Sequence, residues 1–294
     1  MRALALQTDV LVFVSDVWQT TCTAVRSGGE GFVIDSPVYP EELRALPEVL
    51  EHAGFPISGL LATHGDWDHL LGRIAFPGAS LGCAESTATR LGAELGDVQR
   101  RLREFDAEHY VEDRGLLALG SLQALPVPGR VEIGSAQSPA GAGRHELELH
   151  AADGHTADGA AYWLPWARVL VCGDYLSPVE IPMLSAGGTL SAYRATLQRL
   201  RPLVAAAEWV IPGHGAPVSR GRAEEILAQD ERYLTQLETD PAAAELAPGR
   251  AGAVQRRIHE ANVARLAGQG QGQGQGKGQG KGQGQPPRGA RGRG

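Results

Sequence analysis

Cysteine is scarce in this chain. Its three residues, Cys22, Cys83 and Cys172, are odd in number and far apart, which excludes the disulfide framework that staples small secreted domains. A reducing, cytoplasmic location is therefore expected. No apolar run approaches the roughly 20 residues of a membrane-spanning helix. The opening Met-Arg-Ala-Leu-Ala-Leu breaks at Gln7 and Asp9, before the hydrophobic region of a secretory signal could form. A basic surface is missing as well. The formal net charge is −7, and Lys277, Lys281, Arg288, Arg291 and Arg293 lie in a C-terminal stretch that has no acid. The rest of the chain is thus more acidic than the total, which argues against a nucleic-acid partner. No membrane partner is expected either, which leaves a small molecule as the partner to look for.

What the chain does have is enough apolar residue, 43% of 294, for one large domain with a substantial core. Its densest chemistry lies in Thr63-His-Gly-Asp-Trp-Asp-His69, just after the apolar run Gly59-Leu60-Leu61-Ala62. Residues at i, i+2 and i+4 of an extended segment project to one side. His64, Asp66 and Asp68 can therefore face one pocket, with His69 added by a turn. Further potential ligands follow apolar runs or sit between glycines: His155 in Asp-Gly-His-Thr, Asp174 in Cys-Gly-Asp and His214 in Pro-Gly-His-Gly. Seven such side chains suit two cations better than one, and in layered α/β proteins they collect where strands end.

The surrounding pattern reads as alternating short strands and helices. Val10 to Val14, Thr21 to Val25 and Gly31 to Ile34 are strands with a hairpin at Gly28-Gly29. Pro40-Glu41-Glu42 starts a helix whose apolar face is Leu43, Leu46, Val49, Leu50 and Ala53, ended by Gly54 and Pro56. Gly59 to Thr63 is the strand that delivers the ligand-rich loop. Gly78 to Cys83 is a further strand, and Glu85 to Leu95 and Asp97 to Tyr110 are two helices. Leu122 to Val127, Arg130 to Ile133, His145 to His150, Ala160 to Leu164 and Arg168 to Cys172 form a second strand series, with turn material at Gly141-Ala142-Gly143. His145 and His150 alternate with Leu147 and Leu149 and are given no metal. Helices at Leu190 to Leu200, capped by Thr189, at Ala223 to Leu237 and at Val254 to Leu266 complete the body. A strand from Trp209 to Ile211 leads to His214, and a loose stretch around Pro241 and Pro248 precedes the last helix. Two such series predict an α/β fold, an αββα four-layer sandwich of two mixed sheets with helices on the outer faces and the site along one edge. The domain spans 1–267, and the Gly/Gln/Arg-rich segment 268–294, which has nothing to bury, is expected to be disordered. Cys172 is read as core packing, and so is Trp67, with support of its loop or a wall of the pocket as the other readings.

The ligand pattern resembles the metallo-β-lactamase fold superfamily of hydrolases. That family's loop is His-x-His-x-Asp-His, followed by a Gly-His, a Gly-Asp and a Gly-His, and the resemblance covers roughly residues 8 to 240. It implies that His64, Asp66 and His155 hold one metal, that Asp68, His69 and His214 hold the other, and that Asp174 bridges them. It also implies that Asp35, in Ile34-Asp35-Ser36-Pro37, accepts a hydrogen bond from a ligand histidine; a turn aspartate capping its own backbone is the other reading. Asp68 is the candidate catalytic residue, placed to orient a metal-bridging hydroxide and to pass on its proton. Tyr175, next to a ligand at the start of the long connection Leu176 to Gly188, is a candidate substrate residue, or else a packing ring.

One departure matters, because Asp66 stands where the family has histidine. Three carboxylates and a hydroxide cancel the charge of two divalent ions, which makes weaker Lewis acids and favours oxygen-preferring ions. Zinc is the first expectation, with iron or manganese as alternatives. The implied activity is hydrolysis of a small ester, thioester, lactone or amide. The alternatives are a di-iron redox protein, since flavodiiron proteins of this fold carry a carboxylate at this position, and a non-catalytic metal-binding relative. Elemental analysis of protein purified without added metal tests the metal preference, and a stoichiometric, exclusively zinc content would count against it.

Overall fold

The computed structural model describes residues 1–134 and 145–274. The expected turn at Gly141-Ala142-Gly143 and the end of the tail lie outside these residues. A first sheet of seven strands runs in chain order: β1 (Arg2–Gln7), β2 (Val10–Val14), β3 (Thr21–Ser27), β4 (Glu30–Asp35), β5 (Ile57–Leu61), β6 (Ser80–Ala84) and β7 (Leu122–Leu125). Pairing is antiparallel from β1 to β4 and parallel from β4 to β7. The second sheet contains β8 (Gly129–Ile133), β9 (His145–Ala151), β10 (Ala160–Leu164), β11 (Val169–Val171), β12 (Trp209–Ile211) and β13 (Val218–Ser219), in the order β13-β12-β11-β10-β9-β8. Among these strands only β11 and β12 pair in parallel. Both sheets are mixed.

Strand alternation explains the layers. Val10, Val12, Val14, Ile34 and Leu61 meet Leu147, Leu149, Tyr162, Val169 and Ile211 between the sheets. Phe13, Ala24, Val33 and Leu60 point the other way, onto α1 (Pro40–His52), α2 (Gly72–Ala75) and α3 (Glu85–Glu108). The outer face of the second sheet, with Trp163, Leu170 and Val210, is covered by α4 (Leu190–Ala206) and α5 (Arg220–Thr239), against which α6 (Ala253–Gly274) packs. The αββα sandwich is therefore the fold. No helix among the described residues is long and apolar enough to cross a membrane.

Local chemistry sets the element ends. At the start of α1 the buried Glu42 carboxylate accepts from the backbone N–H of Tyr39 at 3.0 Å and of Val38 at 3.2 Å, satisfying groups that a helix start leaves open. Thr189 caps α4 by accepting from Ala192 N–H.

Several elements differ from the expectation. β1 went unread because Ala3 and Ala5 on its exposed face are as apolar as Leu4 and Leu6 on the half-buried one, so the sequence shows no polar alternation there. The two helices expected between residues 85 and 110 are both present and run on from one another within α3, with a kink at Glu94 (φ −113°, ψ 16°). The last helix continues past residue 267 as far as Gly274. The stretch between α5 and α6 is pinned rather than loose. Arg250, 2% exposed, donates to Asp230 at 2.6 Å and to the carbonyls of Ser177 and Glu180. Nothing local in the sequence signals a buried arginine. Replacing it leaves Asp230 buried without its ion-pair partner, so Arg250→Met should lower unfolding free energy by about 3–5 kcal/mol. Urea denaturation checks this, and a loss below about 1 kcal/mol would mean the pair is solvated.

Candidate metal centre

The ligand-bearing loops leave the two sheets at a shared edge. His64 to His69 follow β5, His155 lies between β9 and β10, Asp174 follows β11, and His214 follows β12. Backbone bonds lock the edge together: Thr21 N–H donates to Gly213 O at 2.8 Å, and Gly213 N–H donates to Gly173 O at 2.6 Å. Gly213 has to be glycine, because a Cβ there would lie 2.1 Å from Asp174 Oδ1. At Gly154 a Cβ would meet Tyr193 N at the same distance, and φ is +119°.

Each ligand histidine is aimed by a contact at its Nδ1. His69 Nδ1 donates to Asp35 Oδ2 at 3.0 Å, and Asp35 also accepts from Thr63 N–H at 2.8 Å and Thr63 Oγ1 at 2.9 Å. Asp35 itself sits at φ +59°, a conformation that costs energy for a non-glycine residue and marks a place where side-chain aim is held by its surroundings. Its carboxylate caps the ligand loop rather than its own turn. With the Thr63 hydroxyl donated to Asp35, its oxygen is left to accept from His64 Nδ1 at 3.0 Å. His155 Nδ1 donates to Met183 O at 2.9 Å, and His214 Nδ1 donates to Trp18 O at 3.2 Å. All four Nε2 atoms consequently face one space.

There they form two groups. His64, Asp66 and His155 bring their ligand atoms within 4.8 Å of one another, and so do Asp68, His69 and His214. Asp174 lies between them, with Oδ2 at 3.2 Å from His155 Nε2 and 3.7 Å from His64 Nε2, and Oδ1 at 3.2 Å from His69 Nε2 and 3.4 Å from His214 Nε2. Asp66 Oδ2 is 3.6 Å from His155 Nε2, and Asp68 Oδ2 is 3.5 Å from His214 Nε2. The Nε2 atoms of His64, His69 and His155 and Oδ1 of Asp174 are buried with no hydrogen-bond partner. Buried polar atoms rarely go unpaired. Nitrogen and carboxylate oxygen atoms converging at ligand–ligand spacings fit two cations. All seven side chains singled out in the sequence are brought together.

Burial opposes charge on these groups, and their mutual attraction overcomes it. Burial works against protonated His69 and His155, yet the neighbouring carboxylates raise both well above the ordinary imidazole range. His214 is likewise buried, and Glu180, Asp174 and Asp68 push it up to about 10. Burial also opposes ionised Asp174, which the four histidines hold well below the usual carboxylate range. His64 is lowered, by burial first and by His69 second.

Other positions decide between readings that the sequence left open. Tyr175 is buried, and its phenol donates to Asp153 O at 2.8 Å while accepting from His155 N–H at 2.9 Å. It fixes the His155 loop and offers no free hydroxyl to a substrate. Cys172 is buried core. Trp67 packs against Phe105 and the half-exposed Trp18, whose backbone carbonyl meets His214. The loop after Asp174 is held from behind by α6: Gln255 accepts from Ile181 N–H, and Asn262 accepts from Leu184 N–H and donates to Pro182 O, with Arg250 joining just before the helix. Glu180 in that loop is raised above the ordinary carboxylate range, chiefly by burial.

The sequence reading also missed Arg90 and Asp158. Arg90 Nη2 lies 2.7 Å from Asp66 Oδ1 and Nη1 lies 2.7 Å from Asp158 Oδ1. Asp158 Oδ2 accepts from Gly65 N–H at 2.9 Å. Asp158 follows His155 by three residues and could have been weighed as an acid beside a ligand; Arg90, on α3, carries no local signal. Its cation alters the charge count derived from Asp66 alone.

A family model described as the metallo-beta-lactamase superfamily matches residues 15–214. Among solved structures, a metallo-beta-lactamase family protein from Thermus thermophilus is similar at 20% identity and TM-score 0.60, covering 90% of this chain and 95% of that one. A metallo-beta-lactamase from Pontibacter korlensis is similar at 17% identity and TM-score 0.55, covering 78% and 98%. The stereoselective inverting sec-alkylsulfatase Pisa1 from Pseudomonas sp. matches at 16% identity and TM-score 0.65, covering 90% of this chain and 50% of that one. At these identities the likeness is one of fold.

The histidine shifts have a definite sign. Imidazoles raised above 6.5 in the metal-free fold add stability that is full below 6.5 and lost as pH rises through about 10. The lowered Asp66 and Asp174 add stability present above about 3.9 and lost as pH falls. A cation needs these imidazoles neutral, so its binding releases protons and strengthens with pH. The rise in melting temperature produced by added zinc should be larger at pH 8 than at pH 6. Equal rises at both would show that zinc does not compete with these protons.

Proposed function

As the chain belongs to the metallo-beta-lactamase superfamily, we propose that it is a binuclear metal-dependent hydrolase acting on a small ester, thioester, lactone or amide. The observation that supports this best is the placing of one carboxylate, Asp174, between two triads in which the Nε2 atoms of His64, His69 and His155 are buried with no hydrogen-bond partner. Two divalent ions bound there would bring the pKa of a shared water toward about 7 and polarise the electrophilic oxygen of a substrate. Zinc is the first candidate, with iron or manganese next. Asp68 orients the nucleophile and accepts its proton, because its carboxylate lies at the mouth beside His69 and His214. The exposed ring of Trp18, a residue tied to His214 through its carbonyl, offers an apolar surface for part of the substrate. The surrounding body is acidic, which suits a neutral substrate better than a polyanion.

A carboxylate at position 66 favours one second reading, a di-iron centre working on oxygen or nitric oxide. Consumption of either gas by the iron-loaded protein, without hydrolysis, would select it. The decisive experiment is a panel of thioesters, lactones, phosphodiesters, β-lactams and secondary alkyl sulfates offered to metal-reconstituted protein. Activity on one class should fall by about 10²-fold or more in His69→Ala, and by about 10²–10⁴-fold in Asp68→Asn with metal content retained. Activity that survives His69→Ala would place the chemistry elsewhere.

A further inference from the structure

We propose that Asp66 and Arg90 act as a single unit, a carboxylate and guanidinium pair standing in for one neutral ligand, and that Arg90 thereby positions Asp66 and sets how firmly the first triad retains its cation. This rests on the reading of the centre as a metal site. The two oxygens of Asp66 have separate tasks: Oδ1 accepts from Arg90 Nη2 at 2.7 Å, and Oδ2 faces His64 and His155 at 3.8 and 3.6 Å. With Oδ1 engaged, only one oxygen is left for a cation, and the carboxylate presents one directed lone pair as an imidazole would. The guanidinium offsets part of the negative charge that an aspartate adds in place of histidine, the rest of its charge being met by Asp158 and Glu94.

The arginine cannot drift from this position. Its second arm donates to Asp158 Oδ1 at 2.7 Å, and its Nε donates to Glu94 Oε2 at 3.0 Å, at the bend in α3. Asp158, 1% exposed, in turn holds Gly65 N–H, one residue from both His64 and Asp66. Arg90 is itself only 12% exposed, so the pair is shielded from solvent and its geometry is fixed. A planar fork reaching two carboxylates at once is a task for arginine that a lysine ammonium performs poorly. α3 thus ties together the two loops that carry the first triad.

Zinc alone serves as the probe, with ions retained per chain measured by elemental analysis across a series of chelator concentrations. Full-length protein is compared in two backgrounds, the natural Asp66 and Asp66→His. With Asp66 present, Arg90→Gln should release one of two zinc ions at about tenfold lower chelator concentration, the scale of lost outer-shell support. In the Asp66→His background the same change should cost less than about threefold, or improve retention, because a histidine needs no counter-charge and is crowded by one. An equal loss in both backgrounds would overturn the proposal, since Arg90 would then act only through Asp158 and Gly65. Thermal melts of the metal-free variants verify folding. If Arg90→Gln does not fold, Arg90→Lys gives the same comparison with charge kept and the fork lost; retention unchanged by lysine in both backgrounds would equally overturn it. A natural chain that never holds two zinc ions would instead remove the metal reading on which the proposal stands.

Discussion

The carboxylate of Asp174 sits at the point where buried charge has to be neutralised from both sides. Each of its oxygens faces two imidazole nitrogens, and three of those four, on His64, His69 and His155, are buried with no hydrogen-bond partner. Burying such a group is costly unless it is compensated. The surrounding architecture supplies that compensation: four histidines aimed by Asp35, Thr63, Met183 O and Trp18 O, and glycines where backbones must approach. The Nδ1 contacts matter as much as the ligands, because they decide which nitrogen is presented.

The frame extends beyond the loops that carry ligands. Met183 O, which orients His155, belongs to a connection whose own backbone groups are met by Arg250, Gln255 and Asn262. These three residues lie C-terminal to the matched segment 15–214. The last helix therefore supports a site to which it gives no ligand. Similarly, α3 packs Phe105 against Trp67 and sends Arg90 to Asp66, so both outer layers brace the edge between them.

Much of this was legible in the sequence, for identifiable reasons. His64, Asp66, Asp68 and His69 fall in six residues directly after a strand, a density that marks the loop, although it closes through a 3₁₀ turn at Trp67–His69 and not as an extended segment. His155, Asp174 and His214 each follow a strand or sit among glycines, and their order matches a known pattern. What was not legible depends on partners far away in the chain. Arg90 is one arginine among several on an amphipathic helix, and only the approach of α3 to the β5 loop gives it two carboxylates. Tyr175 looked available beside a ligand, yet its hydroxyl is committed to the Asp153 carbonyl. Arg250 follows Pro248 and Gly249 in a stretch that reads as loop, and its burial follows from Asp230 on the facing helix. The departure at Asp66 was visible, but its electrostatic meaning required a residue 24 positions later in the chain.

The origin of the ligands has a mechanical consequence. His64, Asp66, Asp68 and His69 come from the first sheet, whereas His155, Asp174 and His214 come from the second. Each triad draws on both. A bound ion therefore works as a keystone across the seam of the sandwich, and prising the halves apart requires breaking its coordination. Ion occupancy and cohesion of the two halves are one equilibrium viewed from two ends.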